Sequence, residues 1–165
     1  VTFVPYRRKT SFKNIENEFR ELNSFFQKNV TENTIFVPRK MEFSEMTIKS
    51  HYGIYHDIKD WEIVTNIIIK MHPQYKKTWE NFENQKWMYG FNMFVMSKNI
   101  FSNYSGWLFN ILSEVEEKSN MDDKDAYQSR LCGFISERLF NFYLLMLQQQ
   151  RPNIKIIELN FVKID

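Results

Sequence analysis

The stretch from residue 90 to 117 restricts the choice of fold most, because its hydrophobic period changes halfway along. Residues 91–96 are apolar on both faces of an extended chain, which predicts a buried strand. Ser97 can then act as a helix N-cap, and apolar residues recur at helical spacing over 101–115. A strand that leads into an amphipathic helix is typical of α/β proteins, so we expect a mixed α/β domain with Phe101, Leu108 and Leu112 in its core.

The composition limits size, location and partners. The 165 residues have the length of one domain, which we take as residues 1–165, and aromatic residues make up 17% of it, so bulky rings must fill the core. A net charge of +2 argues against a general nucleic-acid binder. Cys132 is the single cysteine, which favours a reducing, cytoplasmic setting and a structural thiol. No apolar run reaches the roughly 18 residues of a membrane span.

The remaining elements follow from the same kind of periodicity. We expect helices at 11–28, at 61–71 with Asp60 as N-cap, and from Asp125 onward. We expect strands at 34–37 and at 154–164, the second of them at a sheet edge. Residues 39–55 should form a connecting loop. The strand at 34–37 should end at Pro38, which cannot continue a ladder.

Two stretches carry side chains that could do chemistry. Tyr6, Arg7 and Arg8 follow a strand-like run at the start of the chain and would suit a diphosphate, although a solvated basic turn is the plainer interpretation. Residues 51–61 hold the densest group of titratable side chains. His56 could donate a hydrogen bond or carry a proton there, whereas the spacing of the histidines matches no known zinc pattern.

The helix after Asp125 carries a further carboxylate and cation, Glu137 and Arg138, for which a solvated or paired structural role is the plain alternative. The preceding Asp123-Lys-Asp125 has the letters of the Asp-x-Asp metal motif of many sugar-nucleotide transferases. It follows a helix rather than ending a strand, which favours helix capping.

Four stretches together resemble one bacterial family, the glycosyltransferase-like domain of capsular and exopolysaccharide synthesis proteins. They are VTFVPYRR, HDIKDWEIV, FNMFVMSKNIFSNYSGWLFNIL and YQSRLCGFISERLFNFYLL, and they occur in the family's order over almost the whole chain. The chain departs from the family pattern at Pro5, where a histidine is usual, and at Asp57, which replaces a second histidine. The resemblance covers about the C-terminal two-thirds of the family's domain and implies that its N-terminal part is missing.

The resemblance implies a GT-A-like nucleotide-sugar transferase fold, helix-rich with a few mostly central strands. It implies transfer of a sugar from a nucleotide-sugar donor to a growing capsular polysaccharide, exopolysaccharide or O-antigen, on a glycan or lipid-linked glycan acceptor. It leaves open whether Mg²⁺ or Mn²⁺ takes part. The location implied is cytoplasmic or peripheral at the inner face of the membrane.

Residue by residue, the resemblance gives three groups of candidates. They are Tyr6, Arg7 and Arg8 for the donor diphosphate, Asp60, Glu137 and His56 for catalysis, and Asn92, Tyr127 and Arg130 for the acceptor or sugar. We expect Asp60 to be the base ahead of Glu137, and His56 to orient an acceptor or phosphate. A non-catalytic carbohydrate-binding or assembly module is the alternative. A purely structural helical interaction domain is a third alternative, which predicts that four side chains lie far apart in space: Tyr6, Arg8, His56 and Asp60.

Overall fold

The computed structural model describes residues 12–119 and 130–159 of the chain. The elements in chain order are α1 (Phe12–Asn29), β1 (Thr34–Pro38), β2 (Met41–Glu42), α2 (Ile48–Tyr55), α3 (Ile58–Met71), a 3₁₀ turn (Pro73–Tyr75), α4 (Lys76–Glu83), β3 (Trp87–Met88), β4 (Val95–Met96), α5 (Lys98–Lys118), α6 (Leu131–Gln150) and β5 (Lys155–Leu159). The prediction of a helix-rich α/β domain with few strands is confirmed.

The described part of the chain contains a three-stranded sheet in the order β4-β1-β5. The side chains of Ile35, Phe36 and Val37 in β1 are almost fully buried, as expected for a central strand that is apolar on both faces. β4 pairs with β1 antiparallel and β5 pairs with it in parallel, so among the described strands β5 lies at a sheet edge, as predicted. A second, two-stranded sheet pairs β2 with β3.

Helix α6 is the centre of the helical layer, and six consecutive residues from Leu139 to Leu144 are buried. A helix buried all round must have neighbours on every side, and α5 and α4 both pack against it. Rings fill the space between them. Trp79 meets Phe142 edge to face at 4.9 Å and stacks on Trp61 at 5.4 Å, as the aromatic composition predicts.

The strand predicted at 91–96 is wrong over most of its length, because β4 contains only Val95 and Met96. Phe91 and Asn92 have φ angles of 68° and 48°, in the left-handed region, and form a turn that no ladder can include. Apolar residues nearby pack on helices instead, as Phe94 does against Phe140 at 4.8 Å.

Helix α5 confirms the predicted cap and most of the predicted core face. Ser97 Oγ accepts the Ile100 N–H at 3.3 Å, and the side chains of Leu108 and Leu112 are buried. The side chain of Phe101, which was expected in the core, is 48% exposed instead. Helical spacing defines a stripe, but a residue at its margin is buried only if a neighbouring element covers it.

The segment 39–55 is not a simple loop, since it contains β2 and α2. Thr47 and Ser50 form a capping box that begins α2, with the Ser50 N–H donating to Thr47 Oγ1 at 3.1 Å and the Thr47 N–H to Ser50 Oγ at 2.8 Å. Helix α3 also begins earlier than expected. Its N-cap is Asp57, which accepts the Lys59 N–H at 2.9 Å, so the prediction that Asp60 is the N-cap is wrong.

Candidate functional site

Two of the predicted catalytic side chains lie together where α2 meets α3 and faces the first half of α6. We call this group the junction cluster, and it consists of Tyr52, His56, Asp60, Phe134 and Arg138. His56, Asp60 and Arg138 are only 8%, 3% and 4% exposed, although each is polar or charged. Burial of this kind is costly unless the groups are paired, so the cluster marks a site where a specific arrangement is kept.

Arg138 is the cation of the junction cluster. Its guanidinium donates to the Phe134 carbonyl and to Glu137 Oε2, both at 3.0 Å. It also lies 5.5 Å from the centre of the Tyr52 ring and 3.4 Å from His51 Nδ1. A buried guanidinium held on several sides is fixed in place, so its positive charge acts on α2 from a constant position.

His56 stacks on Phe134 with 4.0 Å between ring centres, and its ring lies 4.7 Å from that of Tyr52. Burial lowers the pKa of His56 to about 4, and the charges of Arg138 and His51 act in the same direction. At pH 7 His56 is therefore neutral. A neutral imidazole can orient a ligand by hydrogen bonding, but with this pKa it is a weak proton acceptor.

Asp60 lies in the first turn of α3, where a carboxylate is favoured by the helix dipole. Burial raises the pKa of Tyr52, and the negative charge of Asp60 raises it further. Arg138 has the opposite effect on the same phenol. Asp60 and Arg138 thus both act on Tyr52, which is fully buried between the two charged groups.

Glu137 connects the junction cluster to the turn at 90–92. One carboxylate oxygen bonds Arg138 and the other accepts the Phe91 N–H at 2.5 Å. Asn92 Nδ2 donates to Ser136 Oγ at 3.0 Å, so the turn is tied to α6 at two points. A Cβ added to Gly90 would lie 2.4 Å from Met41 Cε, so the flexible end of the Met41 side chain would have to move to admit one.

The structure brings some of the predicted site residues together. His56 and Asp60 share the junction cluster, Glu137 borders it through Arg138, and Asn92 lies beyond Glu137. Arg130, at the N-cap of α6, places its guanidinium 5.6 Å from the Phe134 ring centre. Tyr6, Arg7, Arg8 and Tyr127 lie outside the described residues.

The sequence interpretation did not place Arg138 in the site. A signal was present, since Arg138 falls on the apolar face of α6 between Ile135 and Phe142, both buried. A cation within an apolar stripe needs a partner, and here the part-buried Glu137 carboxylate is one. Tyr52 gave no comparable signal, because an aromatic residue on a short helix is common in any core.

Three further features of the described part of the chain bear on other kinds of chemistry. In residues 12–119 and 130–159 no three His, Cys, Asp or Glu side chains are grouped so as to hold a metal ion. Cys132 is half-buried and burial raises its pKa, as expected of a structural thiol. None of the described helices combines the length and apolar character needed to cross a bilayer.

The family to which the chain belongs follows from a comparison with family models. A model described as a domain of unknown function, DUF4422, matches residues 1–150. The chain belongs to the DUF4422 family. Among solved structures, this DUF4422 chain is similar to the apo structure of WbbM, a bifunctional glycosyltransferase, with a TM-score of 0.82 and 33% identity. The match covers 98% of this chain and 29% of WbbM. No curated protein matches the chain. The predicted resemblance to a glycosyltransferase-like family is confirmed.

Proposed function

We propose that the protein containing this DUF4422 domain is a glycosyltransferase with a GT-A-like fold. It transfers a sugar from a nucleotide-sugar donor to a growing capsular polysaccharide, exopolysaccharide or O-antigen. The observation that carries the proposal is the likeness to WbbM over 98% of the chain at 33% identity. Because the chain spans 29% of WbbM, the activity is proposed for the whole protein rather than for these residues alone.

The reaction defines what the site must supply. The acceptor hydroxyl oxygen bonds to the anomeric carbon, the bond from that carbon to the donor phosphate breaks, and its electron pair leaves with the nucleoside diphosphate. Positive charge must stabilise that leaving group, and a base must take the hydroxyl proton. We assign the first task to Arg7 and Arg8 with Tyr6, and the second to Asp60, with Glu137 as the second candidate.

The junction cluster supports Asp60 as the base ahead of Glu137. Both oxygens of Glu137 are already engaged, one by the Phe91 N–H and one by Arg138. Asp60 is a member of the junction cluster with His56 and the fully buried Tyr52, and its negative charge acts on the Tyr52 phenol. His56 would orient the acceptor by hydrogen bonding, because its lowered pKa keeps the ring uncharged.

A non-catalytic carbohydrate-binding or assembly module is the second candidate. The observation that favours it is the low exposure of His56, Asp60 and Arg138, at 8%, 3% and 4%. Side chains this buried are also what a structural polar core would show, since paired charges can fix a unique packing without meeting a substrate.

A pair of matched variants tests the assignment of Asp60 in the full-length protein. Asp60→Asn should lower the rate of sugar transfer by about 10² to 10⁴-fold, the usual effect of removing a general base. Asp57→Asn is the control, because it makes the same change on the exposed N-cap of the same helix and should keep normal turnover. Transfer is followed by release of nucleoside diphosphate from a panel of sugar nucleotides. Normal transfer by the folded Asp60→Asn protein would exclude Asp60 as the base.

The same panel separates the two candidate functions. A glycosyltransferase should release nucleoside diphosphate from at least one donor, and Arg7→Ala with Arg8→Ala should reduce that release. A full-length protein that binds glycans but turns over none of the donors would support the binding module instead. Unchanged turnover in the double arginine variant would remove the diphosphate assignment.

A further inference from the structure

A groove of about 430 Å³ lies between the 3₁₀ turn, α5 and the C-terminal end of α6. We call it the aromatic groove, and we define it by His72, Tyr75, Trp107, Tyr143 and Arg151, which all line it. Its volume is within the range of about 300 to 1,000 Å³ that small-ligand sites have. The residues of the junction cluster do not line it, so its chemistry is separate from the proposed transfer reaction.

The floor of the aromatic groove is apolar and rigid. Tyr143 and Met146 are buried beneath it, and Trp107 lies half-buried with its ring centre 5.3 Å from that of Tyr143. The Trp107 N–H donates to His72 Nε2 at 2.9 Å, which fixes the orientation of the indole. A fixed, half-exposed aromatic face is a surface on which the C–H face of a sugar ring can pack.

The rim of the groove offers neutral hydrogen-bonding groups. His72 accepts at Nε2, so its proton is at Nδ1 as a second donor, and the burial of the ring lowers its pKa and keeps it neutral. Gln150 Nε2 donates to Tyr75 Oη at 2.7 Å, which leaves the amide oxygen as an acceptor and the phenol proton as a donor. Asn103, exposed on α5, adds an amide to the rim.

The charges at the groove indicate the class of ligand. In the part of the chain that the structure describes, no carboxylate lines the groove and Arg151 is its one permanent cation. Arg151 already donates to the Glu32 carbonyl and, at 3.0 Å, to Asn33 Oδ1. A diphosphate would need more positive charge than this, whereas hydroxyl groups suit paired amide, phenol and imidazole groups.

We propose that the aromatic groove binds a short neutral oligosaccharide, outside the reaction centre. The class of ligand follows from the lining of the groove. The identification of this ligand as the acceptor glycan rests on the proposed function. A second binding site for the acceptor would keep the growing glycan on the protein between transfers, because it raises the effective concentration of the glycan at the reaction centre.

Saturation-transfer NMR tests the proposal on the full-length protein. The probes are neutral oligosaccharides of hexose, N-acetylhexosamine and deoxyhexose units, with a nucleoside diphosphate as the competing ligand. At least one oligosaccharide should bind, and Trp107→Ala should weaken its affinity at least tenfold. Trp87→Ala is the matched control, because Trp87 lies on β3 and does not line this groove, and it should leave the affinity unchanged.

A second variant distinguishes loss of binding from loss of folding. Asn103 is exposed, so Asn103→Ala should fold normally and weaken binding by about threefold to tenfold if its amide meets the glycan. Binding of none of the oligosaccharides, equal binding by wild type and both groove variants, or displacement of a bound oligosaccharide by the nucleoside diphosphate would overturn the proposal.

The proposal fails separately from the proposed function. If the protein turns over a sugar nucleotide but binds no oligosaccharide at Trp107, the groove proposal is overturned and the proposed glycosyltransferase activity stands. If Trp107→Ala removes oligosaccharide binding but the wild-type protein turns over no donor, the proposed transferase activity is overturned and the groove proposal stands.

Discussion

The junction cluster and the aromatic groove differ in what they hold and in how water reaches them. The junction cluster contains the ionisable groups Asp60, His56 and Arg138, all nearly inaccessible. The aromatic groove contains mainly neutral groups around a half-exposed Trp107. Charges matter most in a dry environment, whereas ring stacking and amide hydrogen bonds work at an open surface. This difference is why we propose different tasks for the two regions, the transfer chemistry for the junction cluster and the holding of a glycan for the aromatic groove.

The largest expected effect compares the arginines of the two regions. Arg138→Met should lower the free energy of unfolding by about 3 kcal/mol, because the part-buried Glu137 carboxylate and the Phe134 carbonyl both lose their donor. Arg151→Met should cost about 1 kcal/mol, since its partners Glu32 and Asn33 are exposed to water. Urea unfolding of both variants measures the difference. Equal losses would contradict the distinction between a buried and an open site.

The link between the junction cluster and the turn at 90–92 is the next test. Glu137→Ala should cost about 2 kcal/mol in urea unfolding, because the Phe91 N–H and Arg138 lose their acceptor together. Glu137→Gln keeps an oxygen for the Phe91 N–H and should recover about half of that loss. If Glu137 rather than Asp60 were the base, Glu137→Gln would reduce sugar transfer despite its recovered stability.

The histidines of the two regions should differ in their response to acid. The pKa of His56 is about 4 in the folded protein and 6.5 as its reference value, so between these pH values the unfolded chain binds more protons. Stability is therefore highest above pH 6.5 and falls as the pH decreases towards 4. We expect a loss of about 1 to 2 kcal/mol from His56, less than the full shift because solvent screens part of it.

Variants separate His56 from the other histidines. Burial also lowers the pKa of His51 and of His72, so the wild-type curve contains all three contributions. His56→Gln should flatten the dependence of unfolding free energy on pH between 7 and 4 more than His72→Gln does. Curves of the same slope for these two variants would show that the junction cluster lowers the pKa of His56 no more than the groove lowers the pKa of His72.

The smallest expected effect concerns the floor of the aromatic groove. Trp107→Phe removes the N–H donated to His72 and should cost about 0.5 to 1 kcal/mol, the net value of one neutral hydrogen bond. The pKa of His72 should rise at the same time, because that bond stabilises its unprotonated Nε2. An NMR titration measures the pKa, and His56 in the same spectra is the internal control that should not move. An unchanged His72 pKa would show that the indole does not fix its protonation state.

Much of the fold follows from local pattern. The helical period predicted α1, α5 and most of α3 and α6, and Ser97 was recognised as a cap because capping depends only on residues three positions apart. The pattern failed at 91–96, where apolar residues on both faces indicated a strand. Their burial comes from packing on α6, a contact that periodicity does not contain.

The candidate site was predictable in part. His56 and Asp60 were predicted through a resemblance to a family motif, and the structure places both in one cluster. The position of Arg138 in the apolar stripe of α6 was a signal of its burial, but its contact with His51 could not be predicted, because it joins residues 87 positions apart. Asp60 was predicted as the N-cap of α3, but the helix begins three residues earlier, at an Asp57 cap that directly follows the C-cap of α2.

The sequence by itself determined the helices, the central strand β1, the aromatic core and membership of a glycosyltransferase-like family. Only the tertiary structure decided that Arg138 is buried, that Glu137 holds the turn at 90–92, and that Trp107 lies in a groove beside His72. The physical reason is one of range. Periodicity and capping act over a few residues, whereas these contacts join helices and loops that are 35 to 87 residues apart and meet only after the core has packed.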